Sequence, residues 1–82
     1  MEFESKNLFV NISGTGIAFR VTPFKQEESD NLAFKIDMGD HDPKAIHHSY
    51  INGWWQLSGK QIYTDILHMM GAMIEKNYPE LF

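Results

Sequence analysis

Leu32-Ala33-Phe34-Lys35-Ile36-Asp37-Met38 alternates apolar with polar or small side chains without a break. Successive side chains of a strand point to opposite faces, so Leu32, Phe34, Ile36 and Met38 share one face while Ala33, Lys35 and Asp37 share the other. A strand of this kind has one face to bury, and the same alternation recurs upstream. Over 7–12, Leu8, Val10 and Ile12 oppose Asn7, Phe9 and Asn11; over 17–22, Ile17, Phe19 and Val21 oppose Ala18, Arg20 and Thr22. Between these runs lies Ser13-Gly14-Thr15-Gly16, a cluster of turn formers, so the pair reads as a β-hairpin. Pro23 ends the second strand or places it at an edge. Polar loops over 25–31 and 39–43 flank the third strand.

Downstream, the segment 44–51 has two readings. Asp42-Pro43 is a fair helix start, an N-cap residue followed by proline at the first helical position. Ile46, His48 and Tyr50 nevertheless alternate as in a strand, and Asn52-Gly53 is a strong hairpin signal because both residues tolerate positive φ. A second hairpin over 45–51 and 54–57 is the leading reading, with a short helix capped by Asn52-Gly53 as the alternative. After it, Ile62, Tyr63, Ile66, Leu67, Met69, Met70, Met73 and Ile74 fall within one arc at helical spacing. Ser58 and Gln61 have capping-box spacing, and Pro79 stops the pattern, so a helix is expected over 59–77. Gly71 lies at the edge of the apolar arc, where close approach of a neighbour would explain a residue that weakens a helix by roughly 1 kcal/mol.

The fold expected is a two-layer α+β domain. An antiparallel sheet of three to five strands, in the order β-β-β-(β-β)-α, is covered on one face by a single amphipathic helix. Its other face, with Ala18, Arg20, Thr22, Ala33, Lys35 and Asp37, should meet solvent. The 82 residues make one domain, 1–82. A chain of this size buries roughly 60% of its surface on folding, a marginal core that small domains often supplement with disulfides, a metal or a partner subunit. With no cysteine in the chain, disulfides and thiolate metal sites are excluded.

Seven Lys/Arg against eleven Asp/Glu leave a net charge of −4, and the cations are scattered singly. Duplex nucleic acid is therefore not an expected partner, because phosphate neutralisation needs a basic patch. No basic and apolar leader opens the sequence, and no apolar run reaches membrane-spanning length. A soluble, cytoplasmic protein without a membrane partner is the expectation.

His41, His47 and His48, with Asp40 and Asp42 nearby, form the one cluster that resembles metal ligands. Adjacent residues on a strand face opposite ways, which works against His47 and His48 sharing an ion. The alternative to a metal or small-ligand module is a polar loop beside an edge strand. Catalysis has little to use. Ser13, Ser29 and Ser49 lie in no nucleophile elbow, Ser58 serves better as a cap, and His48 or His68 lacks convergent polar partners. A non-enzymatic protein without a cofactor follows. Gly14-Thr15-Gly16 leads into a strand, not into the helix N-terminus of a phosphate loop. Phe9, Arg20 and Lys35 could share the outer sheet face and stack single-stranded nucleic acid, with Asp37 beside them thinning the platform.

Eleven aromatic residues, 13% of the chain, are more than one helix and one sheet face can cover. Trp54 and Trp55 must point to opposite faces of a hairpin, so at least one leaves the main core. Surplus aromatic residues at accessible positions are the composition of an interface. Tyr50, Trp54, Trp55, Tyr78, Leu81 and Phe82 are accordingly the expected contact surface of a protein-binding module of inhibitor, immunity or adaptor type, working as a homodimer. The competing arrangement folds the same residues into a second small core under the 39–51 segment.

Overall fold

The computed structural model describes residues 3–27 and 31–82. Five strands follow one another, β1 (Lys6–Ile12), β2 (Thr15–Lys25), β3 (Leu32–Asp37), β4 (Lys44–Ser49) and β5 (Gly53–Ser58). Helix α1 (Thr64–Asn77) and a single 3₁₀ turn (Pro79–Leu81) complete the order. The sheet is an antiparallel meander, β1-β2-β3-β4-β5, because each short connection returns the chain beside the strand it has just left. This is the α+β fold that the alternation predicts, with Lys44–Ser49 a strand and Tyr50 and Ile51 in the turn that follows.

Register carries the apolar face across the sheet. Leu8 pairs with Phe19, Val21 with Ile36, and Phe34 with Ile46. All six side chains are buried with Val10 and Trp54 under Ile62, Leu67, Met70, Ile74 and Tyr78 of the helical layer. A slip of one residue would turn every one of them to the opposite face, so burial worth about 1.5–3 kcal/mol per large side chain holds the register.

Four local readings are corrected. Of the two readings of Pro23 the edge one holds: it does not end β2 but lies within the strand, buried and opposite Phe34, where β2 has a neighbour on one side only. The β1–β2 ladder reaches only to Lys6 and Val21, so beyond Val21 strand β2 pairs on one side alone, and a residue without an N–H is tolerated there. The strand therefore continues and brings Phe24 opposite Ala33 on the outer face. Ala33, expected in solvent, is fully buried as a result of its neighbours there.

At the second hairpin, Asn52-Gly53 does not form a two-residue turn with positive φ at both positions. Only Gly53 takes positive φ (72°), and Ser49 Oγ accepts N–H bonds from Ile51 (3.2 Å) and Asn52 (3.3 Å) to close the turn.

The helix begins at Thr64, not at Gly59, and the Ser58/Gln61 capping box does not form. Ser58 stays in β5 opposite Ala45. Gly59 has φ +91° and passes so close to β4 that a Cβ would stand 2.8 Å from the Pro43 carbonyl oxygen and 2.9 Å from Lys44 Cα. Helical backbone is excluded at that point. Gln56 organises the connection instead. Its Nε2 donates to the carbonyls of Ser58 (2.9 Å) and Lys60 (2.6 Å), while its Oε1 accepts from Ile62 N–H (2.7 Å).

The fourth correction concerns the helix face. Tyr63 precedes the first turn and is exposed, and Met69 falls at the margin of the arc, so the buried stripe narrows to Leu67, Met70, Gly71 and Ile74. Gly71 meets the close neighbour that its position implies. The Trp54 ring lies against it, and a Cβ there would be 2.3 Å from Trp54 Cδ1. No helix among the described residues is long and apolar enough to cross a membrane.

Candidate functional site

Strands β4 and β5 form the last hairpin of the meander, so β5 is an edge of the sheet. No Asp, Glu, Lys or Arg occurs between Lys44 and Lys60, so past the buried Lys44 at its start the hairpin is uncharged at neutral histidine. That is an unusual stretch in a chain in which 22% of residues are charged. Edge strands commonly carry lysine or proline to discourage pairing with other chains, and β5 has neither.

The two tryptophans divide between faces as the alternation requires. Trp54 is 8% exposed, between Phe34 (ring centroids 5.3 Å) and the helix at Gly71. Its Nε1–H points to Glu75 Oε2 at 3.5 Å, the outer limit of a hydrogen bond. Trp55 is 48% exposed on the outer face and leans on His47 (5.7 Å). Register sets Phe24, Ala33, His47 and Trp55 in one row across four strands. The row was hidden from sequence reading by Pro23, because a strand halted there never delivers Phe24.

The hairpin separates from β3 at its tip. The β3–β4 ladder ends at Ala33 and His47, and the His47 Nδ1 lies 3.2 Å from the Leu32 carbonyl that the ladder no longer serves. Beyond this point a groove of about 240 Å³ opens, lined by Asn31, Leu32, Phe34, His47, His48, Tyr50, Leu81 and Phe82. His48 is its hub, with Trp54 at 5.1 Å, Phe82 at 5.5 Å and Tyr50 at 5.7 Å between ring centroids. Phe82 stacks on Phe34 at 6.0 Å with the planes only 8° apart and remains 42% exposed. At the turn, Tyr50 and Ile51 are each 92% exposed.

Of the six residues expected at an interface, Tyr50, Leu81 and Phe82 come together around this groove, and Trp55 is on the opposite face of the sheet. Trp54 and Tyr78 belong to the core and are withdrawn as contact residues. Tyr78 is buried because its hydroxyl has partners inside, donating to the Glu4 carbonyl at 2.6 Å with the Val21 carbonyl at 3.4 Å. Burial, then the negative charges of Glu4 and Glu80, push its phenol above the ordinary tyrosine value. The Lys6 ammonium stands 4.5 Å from the centre of the ring. The surplus aromatics thus divide. Trp54 and Tyr78 extend the core, Tyr50 and Phe82 rim the groove, and Trp55 lies on the outer face.

His41, His47 and His48 are not brought together. His47 and His48 take opposite faces, and His41 is in the β3–β4 loop with φ 59°. Among the described residues no group of three His, Asp or Glu could hold a metal ion. The carboxylates beside His41 are committed to Lys44, a buried lysine at the start of β4. Its Nζ donates to Asp40 Oδ2 (2.7 Å) and the Asp42 carbonyl (2.9 Å), with Asp42 Oδ2 at 3.4 Å. Asp42 Oδ2 also accepts the Lys60 N–H at 2.7 Å, which ties the β3–β4 loop to the β5–α1 connection. The Lys44 hydrogen bond holds the Asp40 carboxyl below the usual carboxylate range. Reciprocally, Asp40 raises the Lys44 ammonium above the usual lysine value against the effect of burial.

Phe9, Arg20 and Lys35 do share the outer face, and all three are exposed. Phe9 is spent on structure, since its ring covers Gly16, where a Cβ would lie 2.3 Å from Phe9 Cζ. Arg20 is directly opposite Asp37. Around Arg20 and Lys35 the face therefore offers Phe9, already packed, and cations interleaved with a carboxylate, while Phe24 and Trp55 lie in the separate row with Ala33 and His47.

One signal in the sequence could have located the hairpin surface without coordinates, namely the absence of charge from 45 to 59. Residue-by-residue reading passes over an absence. Comparison with protein-family models, with characterised proteins and with solved structures finds no match to this chain.

Proposed function

We propose that the protein is a non-catalytic binding module that engages protein partners through the uncharged β4–β5 hairpin and works as a homodimer. The observation that carries the reading is the pair Tyr50 and Ile51, each 92% exposed at the tip of a hairpin that Trp54, just past the turn, ties to the core. Large apolar side chains held on a short turn next to a core-anchored strand need less ordering on binding than the same side chains on a free segment. The adjoining groove supplies a rim of Leu81, Phe82 and His48 against which a partner side chain can pack. Inhibitor, immunity-type and adaptor proteins all act through such surfaces.

The test is the double variant Tyr50→Ala, Ile51→Ser, compared with the unaltered chain in affinity capture and in light scattering after size exclusion. Both side chains lie in solvent, so melting temperature should stay constant while partner recovery falls at least tenfold. Equal recovery of the same proteins by both chains, with equal self-association, overturns the reading.

A further inference from the structure

Nine large apolar side chains are exposed among the described residues, and five of them, Tyr50, Ile51, Trp55, Leu57 and Tyr63, lie on the β4–β5 hairpin or just after β5. The opposite edge contributes Phe9 of β1, which packs over Gly16, and Phe24 where β2 outruns β1. Exposed apolar surface is thus gathered along one edge of the sheet, and the backbone of that edge has no neighbouring strand.

We propose that two copies of the chain pair antiparallel along their β5 edges, joining the two five-stranded sheets into one continuous sheet. The proposal rests on the homodimeric binding reading above and names the surface that forms the dimer. Three observations select a second copy as the occupant. A twofold axis sets each residue near it against its own image or a close neighbour, so any charge there meets like charge. The protein is acidic, at −4, and two copies repel in general. The run from Ala45 to Gly59 carries no charge, and a copy approaching along β5 meets no like charge from that run.

Geometry adds the second point. A twofold perpendicular to the sheet keeps both helices on one side and both outer faces on the other. Trp55, 48% exposed, then gathers with its symmetry mate on a shared outer surface, and Leu57, 43% exposed, stands on the same strand as the unpaired residue where the β4–β5 register shifts. Such cross-strand aromatic and aliphatic contacts are the unit of sheet stabilisation. The third point follows from direction. Antiparallel pairing brings the start of one β5 beside the end of the other, so the exposed Tyr50 and Ile51 of one copy lie towards the β5–α1 connection of the second. Main-chain bonds supply affinity at an added strand, and the flanking side chains supply specificity.

The experiment combines light scattering after size exclusion, at two concentrations tenfold apart, with amide hydrogen exchange at the same concentrations. The unaltered chain should be dimeric at the higher concentration, and amides of β5 but not of β1 should gain protection there. Leu57→Lys places a charge at the proposed seam and should raise the dimer dissociation constant at least tenfold. Asn11→Lys, on the exposed face of β1, should leave it unchanged. Trp55→Thr, which keeps strand propensity and removes apolar area, serves as a second seam variant if Leu57→Lys does not fold.

A monomer at both concentrations overturns the proposal, as does a dimer dissociated by Asn11→Lys or by neither variant. The outcomes also separate this inference from the broader reading. A monomer whose partner capture still depends on Tyr50 and Ile51 keeps the binding module and removes the β5 dimer.

Discussion

The two ends of β4 differ in what holds them. At Lys44 the strand starts in a closed polar corner, where one ammonium joins Asp40 and Asp42 and a carboxylate oxygen of Asp42 reaches the Lys60 amide. At Ser49 it runs out into a turn closed only by a hydroxyl, flanked by Tyr50 and Ile51 in solvent and by a groove instead of a neighbouring strand. The first end ties two connections together and leaves no large apolar side chain exposed. The second is anchored from beneath by Trp54 and Phe82 and leaves its apolar tip unspent. One strand thus carries a structural end and an end available for contact, and the two should respond differently to the same kind of change.

The largest effect is expected beneath the hairpin. Trp54→Ala removes the ring lying between Phe34 and Gly71 and should cost about 3–5 kcal/mol, read as a lower denaturation midpoint. A loss below 1 kcal/mol would mean that the tip is not anchored through the core. Gly59→Ala should come next, at roughly 2–4 kcal/mol, because a left-handed backbone and a clash with the Pro43 carbonyl act together. Should Gly59→Ala be neutral, the corner is not the rigid end of the comparison.

Acid should loosen the corner. Asp40 has a folded pKa below its unfolded value, so its contribution is present above the unfolded value and is lost as pH falls through the folded one. Lys44 has a folded pKa above its unfolded value, and its contribution is lost only as pH rises through and beyond the ordinary lysine range. Between these limits the corner should be insensitive to pH. Below the carboxylate range the Asp42 amide, which donates to Asp40 Oδ1 at 3.2 Å, should exchange faster than its intrinsic pH dependence predicts. Unchanged protection there would remove the ion pair from the account.

The smallest effect on stability is expected at the tip. Tyr50→Ala and Ile51→Ser should each change unfolding free energy by less than about 0.5 kcal/mol, since neither side chain is buried. A larger loss would show that the tip contributes to the fold and would narrow the contrast with the Lys44 corner.

Much of this was legible from local pattern. The period-two runs identified β1 to β3 and their inward faces, and the apolar arc before Pro79 identified the helix and the neighbour required at Gly71. Local pattern misled where a residue's preference was outweighed by its surroundings. Pro23 reads as a terminator or an edge residue, and only the second holds, because β2 outruns its partner there and the missing N–H costs no ladder bond. Ser58 and Gln61 read as a cap, yet Gly59 packs on Lys44 and Gln56 serves the connection instead. The candidate surface was only partly visible. Tyr50, Leu81 and Phe82 converge on the groove, while Trp54 and Tyr78, equally aromatic, are drawn inward because the helix offers Gly71 to one and buried carbonyls receive the hydroxyl of the other.

The amino-acid order was enough for the sheet-and-helix layering, the faces of the strands and the uncharged run from 45 to 59, because each depends on residues near one another in the chain. Assigning the aromatics to core or surface needed the packed structure. Whether a tryptophan is buried depends on which residue of a distant helix lies over it, and no property of Trp54 or Trp55 alone distinguishes the side facing Gly71 from the side facing water.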